Sequence, residues 1–145
     1  MLLLSSELEL VKNKNCKMNK LIIDAVKDKI FLMIISNDIK YSIKYENTKI
    51  NYDKLTLLIN EFLNEKKINL DKISKIYVNR GPGSFAGIRN SLSIVKAFHL
   101  TNKIDYYCFS FDDFGEKIDI KHENIPKLCE KFKVEKNLIN PIYLS

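Results

Sequence analysis

The spacing of apolar residues changes character twice along this chain. From residue 20 the apolar stretches are short and close together. "KLIIDAV" at 20–26 is apolar and rich in β-branched residues, the pattern of a buried strand. "KDKIFLMIIS" at 27–36 follows almost at once. "ND" at 37–38 offers a turn, and "IKYSIKYEN" at 39–47 alternates apolar and polar with period two. A three-stranded antiparallel meander is expected, with the third strand nearer an edge. The period then lengthens. In "NYDKLTLLINEFLNEKK" Leu55, Leu58, Ile59 and Phe62 recur three and four residues apart, which predicts a helix over 52–66. Leu57 and Leu63 lie off that stripe, so the apolar face is broader than contact with one sheet needs. Two readings stay open for this helix: a well-buried core element, or one that also packs on another protein.

"ISKIYVNR" at 73–80 returns to a strand and "IDYYCFS" at 104–110 is one more. Between them a second helix is expected over 84–100. Ile88, Leu92, Val95 and His99 form one stripe of it, and Ala86, Asn90, Ser93 and Ala97 form a stripe of small side chains on another side. The order β-β-β-α-β-α-β places helices between the later strands, which requires parallel neighbours joined by right-handed crossovers. This is an α/β pattern with a mixed sheet, that of a single ribonuclease-H-like lobe. The charged segment 111–145 has too few apolar residues for a second domain and is expected to lay a helix or two over the sheet. Residues 1–17 are expected to be a disordered extension, since folded-looking sequence begins just after Met18.

Composition narrows the function classes. With 145 residues, 46% of them hydrophobic, the chain predicts one domain with a real core. Twenty-four basic against 18 acidic residues give a net charge of +6. The lysines are interspersed with Asp and Glu, so a solvated surface is favoured over a dedicated basic face. Three scattered cysteines without a CxxC, and only two histidines, argue against structural zinc or a disulfide framework and fit a reducing, cytoplasmic setting.

Against this background "NRGPGSFAGIRNSLS" at 79–93 stands apart. It holds three of the four glycines and the chain's only arginines, Arg80 and Arg89. It lies between a predicted strand and a predicted helix, where glycine allows close backbone approach and Ser84 is placed to cap the helix. Such a turn can hold an anion at a helix start. Yet the Gly-Lys-Ser/Thr ending of a phosphate loop is missing, and Gly81, Gly83 and Gly87 miss the dinucleotide spacing by one residue. Ser84 lacks the nucleophile-elbow pattern and a partner histidine. A turn that sets the entry of the helix is favoured; an anion-binding turn stays open.

The same stretch resembles the signature "GRGPGSFTGLRIGLS" of the TsaB (YeaZ) family. "LIIDA" at 21–25 resembles that family's opening strand, and "LTLLINEFLNEKKINLDKISKIYVNR" its helix, linker and strand. The resemblance covers roughly residues 19–110. It implies the fold of the actin, hexokinase and Hsp70 superfamily. It implies a non-catalytic partner of TsaD in forming threonylcarbamoyladenosine next to the anticodon of ANN-decoding tRNAs, with TsaE joining the assembly and tRNA contacted indirectly. It implies no catalytic residue, cofactor or metal of the chain's own. The motif loop would comprise Arg80, Gly81, Pro82, Gly83, Ser84, Phe85, Gly87 and Arg89. The partner face would comprise Leu55, Leu58, Phe62, Ala86, Asn90, Ser93 and Ala97, with TsaD or a second copy of the chain against it.

The departures from the family are Ala25, Asn79 and Ala86 in place of Thr, Gly and Thr, and Asn51-Tyr52-Asp53 in place of His-Ser-Glu. Family members also carry two lobes. Here a short segment, 111–145, stands in place of the second, although "NPIYLS" resembles the family's terminal Pro-x-Tyr-Leu-Arg. One lobe cannot form an interlobe nucleotide cleft. A small kinase- or glycoprotease-like enzyme, a direct tRNA-binding module and a degenerate remnant are the rival readings.

Overall fold

The computed structural model describes residues 19–115 and 119–143. The expected extension at 1–17 lies outside the described residues. The first three strands are β1 (Asn19–Asp24), β2 (Lys29–Ser36) and β3 (Ile39–Glu46). They form the expected antiparallel meander. Asn37 adopts a positive φ of 55° in the β2–β3 turn, a conformation that asparagine tolerates. The later strands, β4 (Ile73–Asn79) and β5 (Asp105–Phe109), add in parallel on the far side of β1. The sheet order is therefore β3-β2-β1-β4-β5, with β3 at one edge.

The expected helix over 52–66 is divided. A short α1 (Lys49–Asp53) precedes α2 (Leu55–Glu65), and Lys54 between them leaves helical geometry at φ −107°, ψ 24°. The start is earlier than the apolar stripe indicates because Thr48 caps it, its Oγ1 accepting from the Asn51 amide. The second long helix, α3 (Phe85–Asn102), follows the expected span closely and ends at Lys103 in the left-handed conformation.

The two faces of the sheet are covered unequally. On one, Leu55, Ile59, Phe62 and Leu63 of α2 and Ile88, Leu92, Val95 and Phe98 of α3 close over Leu21, Ile23, Ile30, Leu32, Ile76 and Val78, giving the larger core. On the other, the carboxy-terminal segment lays a three-residue-per-turn helix at Phe111–Phe114, another at His122–Asn124, and α4 (Ile125–Lys131). Phe114, Ile125 and Cys129 there cover Ile22, Tyr77 and Phe109. The tail thus does what its sparse apolar residues suggest: it thatches part of one sheet face. Among the described residues no helix is long and apolar enough to cross a membrane.

Candidate functional site

The Gly-Arg loop leaves the end of β4 and delivers α3. Ser84 is the cap: its Oγ accepts from the Gly87 amide at 3.2 Å. Gly87 lies where α3 passes closest to the chain after β1. A side-chain carbon there would run into the Ala25 carbonyl oxygen, with the Ala25 carbonyl carbon 2.8 Å away and a Tyr52 ring carbon 3.1 Å away. Gly81, at φ +112°, likewise faces the backbone of Ile142. The Gly81–Pro82 peptide is cis. The loop amides are turned inward: Gly81 N–H donates to Asn79 Oδ1 at 2.9 Å and Ser84 N–H to the Val26 carbonyl at 2.8 Å. Pro82 has none to offer. These two amides brace the turn against its neighbours and are not free to hold an anion.

The two arginines part company. Arg80 is half-buried, and all three of its guanidinium nitrogens donate to protein groups. Its Nη2 donates to Asp113 Oδ1 at 2.7 Å and its Nε to Asp113 Oδ2 at 3.4 Å. Its Nη1 reaches the Asn140 carbonyl at 3.1 Å. Its backbone bonds to the Phe109 carbonyl and accepts from the Ile142 amide. One residue therefore fastens β5, the Phe111–Phe114 turn and the final "NPIY" to the loop. Arg89 instead is exposed on α3, and among the described residues its guanidinium donates to no protein group. Of the two arginines of the motif loop, Arg80 is the one that braces it.

A second polar cluster sits at the ends of β1 and β4 and was not legible beforehand. Asp24 is 4% exposed. Its Oδ1 accepts from Asn79 Nδ2 at 3.1 Å and its Oδ2 lies 2.8 Å from His122 Nε2. The His122 ring packs on Phe31, with centroids 4.1 Å apart, and edge-on to Phe111. A carboxylate buried this deeply needs partners, and the tail supplies one from 98 residues away in sequence. Both Asp24 oxygens are thereby engaged. The other histidine also packs: His99 Nδ1 lies 2.9 Å from the Ile104 carbonyl and its ring meets Tyr106 edge-on. Neither described cysteine suits a nucleophile. Burial pushes the Cys108 thiol up to about 12, outweighing the Asn140 amide and the Arg80 charge. Burial, helped by Asp113, pushes Cys129 up to about 12 as well.

The residues assigned to a partner face fall into two groups. Leu55 and Phe62 belong to the core over the sheet, and with Leu58 they are buried: Leu55, Leu58 and Phe62 are 0%, 5% and 1% exposed. They are core residues, because the broad apolar face of α2 is shared between the sheet and α3. The outer side of α1 and α2 carries Ile50 and Leu57 instead, 71% and 53% exposed. The small-residue stripe of α3 does face outward: Ala86, Ser93 and Ala97 are exposed and Asn90 half-buried, its Nδ2 donating to the Tyr52 carbonyl at 3.3 Å. Between the helices runs a shallow groove lined by Asp53, Thr56, Asn90, Ser93 and Ile94. At its loop end Phe85 stacks at a tilt on Tyr143, centroids 4.9 Å apart, both well exposed.

Comparison with known proteins agrees with this geometry. The family model "TsaD: tRNA N6-adenosine threonylcarbamoyltransferase" matches residues 51–110, from α1 through β5. No curated protein sequence matches the chain. Among solved structures, YeaZ from Pseudomonas aeruginosa superposes with a TM-score of 0.59 at 18% identity, over 63% of this chain and 43% of that one. A second structure, of an uncharacterized protein with similarity to peptidase YEAZ from Pseudomonas aeruginosa, gives the same values. The chain thus spans less than half the length of the structures it matches. It has the YeaZ-like, ribonuclease-H-like fold of one lobe, and its helix-strand-loop-helix segment is similar in sequence to the TsaD family.

Proposed function

We propose that this chain is a non-catalytic partner of a TsaD-type protein in the formation of threonylcarbamoyladenosine on tRNA, and that a TsaE-type ATPase joins the assembly. The observation that carries the reading is the outward stripe Ala86, Asn90, Ser93 and Ala97 of α3, with Ile50 of α1 and Leu57 of α2 exposed as well. Small side chains let a second helix backbone approach closely, and the apolar residues at the margin gain from being covered, at about 25 cal/mol per Å² before association costs. The inner sides of both helices are already occupied by the core, so this outer face has no structural task within the chain. The similarity to YeaZ and to the TsaD family over the same helices supports the same reading. The internal bracing of the loop by Arg80 supports a structural role for it.

Two exposed positions test it. Ala97→Glu or Leu57→Glu should leave folding stability within about 0.5 kcal/mol, since neither side chain is buried. Each should weaken capture of the TsaD-type protein at least tenfold in a pull-down, and threonylcarbamoyladenosine formation should fall in parallel when the variant replaces the native chain. Normal capture by both variants would remove this face from the assembly. Self-association that the same variants abolish, with no capture of the TsaD-type protein, would assign the face to a second copy of the chain.

A further inference from the structure

The sheet face opposite α2 and α3 is only partly thatched. Beside α4 it opens into a groove lined by Lys20, Lys75, Lys127, Lys133, Tyr107 and Glu130. Four ammonium groups there face one carboxylate. Lys20 and Lys75 are direct cross-strand partners in the parallel β1–β4 register, a like-charge pairing that costs stability. Among the described residues none of the four groove lysines has a carboxylate within ion-pair distance, as is true of most lysines of the chain; what sets these four apart is that they gather along one groove. Tyr107 is half-buried, stacked on Tyr77 with centroids 5.2 Å apart, and Lys75 Nζ lies 5.9 Å from its ring centre. Lysines gathered along one groove suit a polyanion whose charges repeat at short intervals, and a phosphodiester backbone has that property.

We propose that this groove binds the phosphodiester backbone of a nucleic acid, on the face opposite the helical one. The family resemblance implies indirect tRNA contact, with direct binding as a rival reading; the groove gives such a direct contact a place on this chain, and it does not depend on TsaD. The test is fluorescence anisotropy of the full chain with a labelled RNA hairpin, the DNA hairpin of the same sequence, and poly-glutamate. At 50 mM salt the hairpins should bind. With four phosphates of the duplex stem neutralised, the slope of log affinity against log salt should be about −3.6, so that 200 mM salt weakens binding roughly 150-fold. The set Lys20→Gln, Lys75→Gln, Lys127→Gln and Lys133→Gln should lose at least tenfold in affinity and flatten that slope, with a circular-dichroism melting midpoint no lower than that of the native chain. The control set Lys54→Gln and Lys96→Gln, on the helical side, should bind as the native chain does. Preference for the RNA or the DNA hairpin identifies which nucleic acid the groove serves. Absence of binding at 50 mM salt, or equal loss in the control set, would overturn the proposal. Binding of poly-glutamate as tight as that of the hairpins would overturn it in favour of an acidic polypeptide.

Discussion

Replacing Gly87 with alanine should destabilise the protein by about 3 kcal/mol, although the same change inside a helix ordinarily stabilises by about 1 kcal/mol. The reversal of sign comes from one contact. The new methyl would occupy the position of the Ala25 carbonyl oxygen, and backbone cannot yield as a side-chain tip can. Either α3 lifts from the end of β1 or the β1–β2 turn gives way. Lifting α3 would also part the Ser84 amide from the Val26 carbonyl. Urea denaturation monitored by circular dichroism checks this. A midpoint at or above that of the native chain would show that α3 does not sit this close.

Arg80→Ala should cost about 2–3 kcal/mol. A fully buried ion pair broken on one side costs about 3–5 kcal/mol. The Arg80 and Asp113 side chains are 16% and 25% exposed, so water recovers part of that. What remains comes from Asp113 without its fork and the Asn140 carbonyl without its donor. Arg80→Lys should recover little, because a single ammonium cannot span both Asp113 oxygens and the Asn140 carbonyl together. The loss should be local first. Limited proteolysis should cut within 111–143 sooner than in the sheet, since the tail is fastened through this residue. In an Asp113→Ala background the further cost of Arg80→Ala should shrink to well under half. Additive losses would mean that the two side chains do not act as a pair.

Much of the fold could be read from periodicity because its elements obey their local rules. β3 alternates cleanly and is the half-exposed edge strand that alternation implies. Ser84 is the helix cap that its position after a glycine turn suggests. The break at Lys54 was not legible, because the Leu55–Phe62 stripe continues through the core on one side of it and Thr48 starts a separate turn on the other. The error over Leu55, Leu58 and Phe62 has a related cause. A broad apolar stripe says how much surface must be covered, not by what, and here α3 and the sheet cover it together. The outward stripe on α3 was legible because small residues on one helix side have no propensity reason to align. Asp24 with His122 was not, since nothing local joins residues 98 positions apart. Arg80 was singled out by composition, and only the fold shows that its partners lie in the tail.

The central claim is that the outer face of α1, α2 and α3 receives a TsaD-type protein. Light scattering coupled to size-exclusion chromatography, on an equimolar mixture of the two proteins, tests it most directly. The mixture should elute at the summed mass of a one-to-one complex, and Ala97→Glu should return both components to their separate masses. Separate masses for the native mixture, or an Ala97→Glu mixture that still elutes as the complex, would contradict the account.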